Sequence, residues 1–194
     1  MHKRLDFHIR GIAPLIQHNV QLANPRNKYV IEMKKLTAKR AKKTEEDLIE
    51  LSKLEFLGGL YIGADGGVIV TGESIEAMIG GAARKVKKGK DVKAGLLSDA
   101  GENGGWKLIY KGPTTPEELW NDDRFVDVRA VKVGQATIMR TRPIFKEWEL
   151  KFSVFYLPDV ISGPDEIRDW VETAGRVIGV GDYRPRYGRF EIVG

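Results

Sequence analysis

Leu5-Asp6-Phe7-His8-Ile9-Arg10 alternates apolar and polar positions with period two. This is the pattern of a half-buried strand, with Asp6, His8 and Arg10 on one face and Phe7 and Ile9 on the other. Trp148-Glu149-Leu150-Lys151-Phe152-Ser153-Val154 alternates more cleanly still and predicts another strand. Residues 106–110, 126–133 and 136–141 read as further strands, the last two turning near Gly134. Two short ones, 60–62 and 68–70, flank the turn Asp65-Gly66-Gly67.

Helical spacing appears in four places. Residues 28–42 place Val30, Met33 and Ala41 near one face, with Leu36 and Lys39 beside it. Thr44, with Asp47 three residues on, is an N-cap for a helix whose apolar face is Leu48, Leu51 and Leu54–Phe56 and which Gly58-Gly59 ends. Thr71-Gly72-Glu73-Ser74 opens a helix with the stripe Ile75, Met78, Ile79, Ala82 and Val86. Gly80 and Gly81 inside it cost about 1 kcal/mol each relative to alanine, which predicts a close backbone contact. Ile167, Trp170, Val171 and Ala174 give the strongest helical signal, in a helix starting near Pro164 and ending at Gly175 or Gly179. Thr115-Pro116 starts a shorter helix, and residues 190–193 form a terminal strand.

Strand–helix–strand at each end predicts an α+β fold of ferredoxin-like (RRM-like) type. The core is expected at 1–65 and 142–194, with 66–141 too long for a hairpin and therefore inserted as a subdomain. The 194 residues contain no cysteine, which excludes disulfides and thiolate metal sites and suits a reducing cytoplasm. No apolar run approaches the roughly 20 residues of a membrane span, and Met1-His2-Lys3-Arg4 leads into no signal-peptide block. The reading is a soluble, cytoplasmic protein.

A formal charge of +5 is moderate, but its distribution is uneven. Lys34, Lys35, Lys39, Arg40, Lys42 and Lys43 form one basic run; Arg84, Lys85, Lys87, Lys88, Lys90 and Lys93 form another, opposed only by Asp91. The acids gather mostly where helices begin, where they favour the positive end of the dipole. The first basic run reads equally as a solvated helix face. Lysines at a helix C-terminus are favourable for the same dipole reason, yet the second run exceeds that need and, with Gly89, suggests a phosphate-gripping loop.

The segment Gly179-Val180-Gly181-Asp182-Tyr183-Arg184-Pro185-Arg186-Tyr187-Gly188-Arg189 combines glycines, arginines and tyrosines. Glycine lets backbone approach a ligand, arginine binds phosphate, and tyrosine stacks on bases. A glycine-tolerant crossover with solvated arginines is the alternative. The order helix, loop, strand and the residues after Gly181 exclude a Rossmann fingerprint, and Gly89-Lys90 lacks the rest of a Walker loop. The candidate nucleic-acid contacts are Lys39, Arg40, Lys42, Lys43, Arg84, Lys85, Lys87, Lys88, Lys90, Arg140, Arg142, Tyr183, Arg184, Arg186, Tyr187 and Arg189. Arg140 and Arg142, on one face of a strand, fit a basic groove.

Catalytic signals are thin. His2, His8 and His18 lack metal-ligand spacing. Loop residue His18, or His8, could activate a ribose hydroxyl. Asp122, Asp123 and Asp127 could bind a divalent ion, though capping and solvation explain them equally. No catalytic residue, metal or cofactor is assigned.

Gly179-Val180-Gly181 through Gly188-Arg189-Phe190 resembles the carboxy-terminal signature of the RAMP superfamily, the ferredoxin-like RNA-binding proteins of CRISPR systems. Ile9-Arg10-Gly11-Ile12-Ala13-Pro14-Leu15 resembles the family's first strand and loop. Val68-Ile69-Val70-Thr71-Gly72-Glu73-Ser74-Ile75-Glu76-Ala77-Met78 is similar to a turn-and-helix segment of the CRISPR backbone subunits, with Thr71 where those usually carry proline. A compact, stand-alone form also looks like bacteriophage-encoded proteins, which would place it in a bacterial host cell. The resemblance implies a thumb-like insertion and non-enzymatic, sequence-independent binding of single-stranded RNA or DNA. It also implies head-to-tail self-association into a helical filament. Tyr183, Tyr187 or Trp106 would stack on bases. Two alternatives stay open: a metal-independent endoribonuclease using His18 or His8 with a neighbouring lysine, and an anti-defence protein-binding module.

Overall fold

A computed structural model describes residues 1–39 and 42–194, Val133 by its backbone alone. Strands β1 (Lys3–Gly11) and β2 (Leu15–Ile16) precede helices α1 (Lys28–Thr37) and α2 (Glu45–Gly59). β3 (Ile69–Val70), α3 (Gly72–Lys85), α4 (Gly89–Gly95), β4 (Leu96–Leu97) and β5 (Trp106–Ile109) follow. The chain continues through α5 (Pro116–Trp120), β6 (Val126–Val133), β7 (Ala136–Phe145), β8 (Glu149–Tyr156), α6 (Pro164–Val177) and β9 (Phe190–Ile192). Among the described residues the fold is α+β, with six α-helices and two antiparallel sheets.

The chain divides into two compact units: Met1–Ile16, Ile62–Lys111 and Lys146–Gly194 form the first, Gln17–Tyr61 and Gly112–Phe145 the second. This differs from the boundaries 1–65, 66–141 and 142–194. Residues 66–111 supply β3, α3, α4, β4 and β5 to the first unit, and 17–61 leave it. The physical reason is pairing. β4 and β5 both bond to β8, with Leu96 opposite Tyr156 and Leu108 opposite Leu150, so this stretch completes the main sheet.

In the first unit the sheet order is β3-β5-β8-β1-β9, with β4 also on β8. The register sets Phe7 opposite Phe152 and Ile9 opposite Leu150. These residues are buried, and the Phe7 and Phe152 rings stack at 5.2 Å. Full burial of each such side chain contributes roughly 1.5–3 kcal/mol. α6 covers this face, its Gly175 against Phe190 and its Arg168 over the Phe7 ring. The amphipathic stripe predicted for α6 is the buried one: Ile167, Trp170, Val171 and Ala174. The other face carries Asp6, His8 and Arg10 from β1 opposite Ser153, Lys151 and Glu149 from β8. α3 packs beside α6 through Gly81, where an added Cβ would lie 3.2 Å from Ile178. Gly81 therefore marks a close approach, to the Ile178 side chain, whereas a Cβ on Gly80 would meet only ordinary contacts at 3.7 Å and beyond. Val86, assigned to the α3 stripe, is instead 60% exposed, because α3 ends at Lys85.

The second unit holds α1, α2, α5 and the β6–β7 hairpin. Asn27 caps α1 through its side chain, and the helix stops at Thr37 rather than residue 42. Only Val30 of α1 is buried, so its apolar stripe runs out before the lysines. Thr44 and Asp47 form a reciprocal capping box at the start of α2. Thr44→Ala should therefore cost about 1 kcal/mol, measured as a lower urea midpoint for loss of helical circular dichroism. The hairpin pairs Val126 with Pro143 through Val133 with Ala136, turning on Gly134 at φ +61°. Phe56, Leu119, Phe125 and Phe145 fill the core, with the Phe125 and Phe145 rings 5.8 Å apart.

Candidate nucleic-acid interface

Two of the sequence-predicted basic segments meet in the first unit. Thr71 caps α3 by accepting from the Ser74 N–H, and Ile75, Met78, Ile79, Ala82 and Ala83 turn inward. Arg84 and Lys85 are thereby left outward on the last turn, both exposed. The segment after α6 runs alongside. Ala77, Gly81, Arg84 and Lys85 form one wall of an open groove of about 650 Å³; Val177, Ile178 and residues 181–185 form the other. Arg84, Lys85 and Arg184 bring three cations to it, Tyr183 an aromatic ring and Asp182 a half-buried acid.

The loop glycines serve the protein's own backbone rather than a ligand, which corrects the sequence reading. Gly179, Gly181 and Gly188 all have positive φ. A Cβ on Gly188 would lie 1.7 Å from the Val180 carbonyl oxygen, and one on Gly181 would lie 2.5 Å from that of Ile16. The close approach is used by hydrogen bonds. Val180 N–H donates to Gly188 O, Gly188 N–H to Pro14 O, and Asp182 N–H to Ile16 O, at 2.8–2.9 Å. The loop is closed on itself and tied to the segment after β1, which holds its outer residues in place. Tyr183 adopts φ +59°, a left-handed conformation costing roughly 1–2 kcal/mol for a non-glycine residue. It is 43% exposed, with its ring 5.7 Å from that of half-buried Tyr187. Arg184, Arg186 and Arg189 are exposed.

The remaining candidates divide. Lys88 is drawn to Asp91 at 2.9 Å and Glu166 at 3.9 Å, and the Asp91 carboxylate raises its pKa. It is engaged internally, whereas Lys87 and Lys90 are exposed in and after the turn between α3 and α4. Gly89 opens α4 and lies under Arg84, whose Cγ would be 2.4 Å from a Cβ there. In the second unit, Lys39 pairs with Asp47 at 2.5 Å, while Lys42 is exposed and Lys43 half-buried. Arg40 lies outside the described residues. Arg140 and Arg142 do not line an open basic groove. Arg140 Nη1 bonds Glu55 at 2.6 Å, the same carboxylate accepts the Thr141 N–H at 2.8 Å, and Arg142 is only 8% exposed.

His18 is half-buried in the second unit. His8 lies on the open sheet face with Nε2 2.6 Å from Glu149 Oε2, and Lys151 stands opposite it in register. Asp122 caps and pairs with Arg124, and Asp127 pairs with Arg129, so both acids are held by arginine. Sequence reasoning missed Glu55 and the partners of His8. The first carried no sequence signal; the second followed from pairing the two alternating strands.

No protein-family model matches this chain, and no characterised protein sequence does.

Proposed function

We propose that the chain binds single-stranded nucleic acid without sequence preference, through the groove between the end of α3 and the loop after α6. The carrying observation is the convergence there of Arg84 and Lys85 with Tyr183 and Arg184, from segments far apart in the chain. Cations at that spacing grip a phosphodiester backbone with a salt-sensitive free energy, and an exposed tyrosine adds stacking of roughly 1–3 kcal/mol per base. The order β9-β1-β8-β5, with α3 between β1 and β5 and α6 between β8 and β9, supports a ferredoxin-like core for the first unit. The rigid glycine loop supports the proposed RAMP relationship. In that reading protomers assemble head to tail along RNA or DNA in the cytoplasm of a bacterial host, and the second unit is the insertion. The open sheet face argues for the groove over an RRM-like platform, since the outward positions of its two central strands β1 and β8 are Asp6, His8, Lys151 and Ser153 rather than aromatic residues.

Fluorescence anisotropy of labelled single-stranded RNA, single-stranded DNA and duplex at two salt concentrations tests this. Tight, salt-sensitive binding of single strands is expected, with assembly growing with strand length in light scattering. Equal indifference to all three overturns the reading. A second reading, RNA cleavage by attack of the 2′-hydroxyl, is favoured by the Glu149–His8 pair with Lys151 beside it. Gel analysis of the same RNA samples decides it: cutting that His8→Ala abolishes supports it, and intact RNA removes it.

A further inference from the structure

We propose that the open face of the main sheet holds a guanine nucleotide, in the hollow bounded by Trp106, Asp6 and Lys151. This site is separate from the groove and does not rest on the groove reading. The hollow, about 330 Å³, is lined by Arg4, Asp6, His8, Trp106, Lys151 and Ser153. That volume falls in the range of small-ligand sites.

Each side of the hollow offers a different recognition element. Trp106 lines the hollow, and its indole is anchored: Nε1 donates to Ser98 Oγ at 2.9 Å, and that hydroxyl donates to Ser153 O at 2.9 Å. A ring locked before binding loses little freedom when a base stacks on it. Asp6 supplies a carboxylate edge. Its Oδ1 accepts from Ser153 Oγ at 2.5 Å and from Arg4 Nε at 2.8 Å, which holds the carboxyl below the usual carboxylate range. Oδ2 has no hydrogen-bond partner among the described residues and remains for a ligand, on a side chain 67% exposed. Lys151 supplies the cation. It makes no ion pair among the described residues and stands two residues along β8 from Ser153, roughly 7 Å at strand spacing.

A ligand that satisfies all three has a π-face, adjacent N–H donors on one edge and an anionic group carried at the end opposite that edge. Guanine presents N1–H and an N2 amino group side by side, so both donate to Asp6 while the phosphate reaches Lys151. Adenine presents N1 as an acceptor, which would face the Asp6 carboxylate and be repelled.

Isothermal titration of the full chain with guanosine and adenosine monophosphates tests the assignment. GMP should bind at least tenfold more tightly than AMP and shift the Trp106 indole N–H resonance, identified with Trp106→Phe. Asp6→Asn and Lys151→Gln should each weaken GMP at least tenfold. Arg84→Gln/Lys85→Gln/Arg184→Gln should leave GMP binding within twofold, so loss of groove function is scored separately. No heat with millimolar GMP, or AMP binding as tightly as GMP, overturns the proposal on the unaltered protein.

Discussion

Replacing Arg84, Lys85 and Arg184 together by glutamine should weaken single-strand binding by roughly 100-fold near 0.1 M salt. For single strands the logarithm of affinity falls by about 0.7 per phosphate contact for each tenfold rise in salt. One lost contact at ~0.1 M thus costs about fivefold, and three multiply to about a hundred. The same variant should lower the slope of log affinity against log salt by about 2. The slope separates the two explanations of a weak variant: a disordered loop would lose affinity, but only removal of phosphate contacts changes the salt exponent by about 0.7 for each contact removed. Lys88→Gln is the matched control from the same basic run. Because Lys88 is occupied by Asp91 and Glu166, binding should change less than twofold. Equal losses from Lys88→Gln and from the triple variant would relocate the interface.

Gly188→Ala should be among the most destabilising single-methyl additions in the first unit, at more than about 3 kcal/mol. The residue has φ +71°, which alone costs alanine roughly 1–2 kcal/mol. The added Cβ would also sit 1.7 Å from the carbonyl oxygen of Val180, a residue whose N–H is already bonded to Gly188 O in the loop closure. Relief requires breaking the Val180–Gly188 hydrogen bond and, with it, the seat of Tyr183 and Arg184. Gly104→Ala isolates the conformational part, since Gly104 has φ +73° and nothing within 4 Å of its Cβ position. Its cost should stay near 1–2 kcal/mol in urea titrations. If the two variants unfold at the same midpoint, the loop is looser than its hydrogen bonds indicate.

Local structure was legible where one residue decides it. Thr44 and Thr115 were recognisable caps, Thr71 stood in a recognisable helix opening, and alternation located β1 and β8, because capping and burial act over a few residues. The division into units was not legible. The chain leaves the first unit between Ile16 and Gln17, two buried residues with no proline or glycine signal. The basic runs looked alike in sequence. Lys39 and Lys88 differ from Arg84 and Lys85 only in having acids brought to them by folding, and Asp47 and Glu166 were already explained by helix starts. Arg140 was read from its strand face alone, and its partner Glu55 lies 85 residues away in α2. The loop glycines were correctly singled out for a wrong reason, since a ligand and a neighbouring carbonyl both demand the absence of a side chain.

The nesting of the two units sets an order of completion during synthesis. His8 and its partner Glu149 are 141 residues apart, so at ordinary translation rates β1 leaves the ribosome on the order of ten seconds before β8. Every segment of the second unit has been synthesised once Phe145 is added, while the main sheet still lacks β8 and β9. The nascent chain therefore carries β1 as an unpaired edge through most of its synthesis. The alternating polar side chains Arg4, Asp6, His8 and Arg10, three of them charged, are the feature that keeps such an edge from pairing with another chain in the interval.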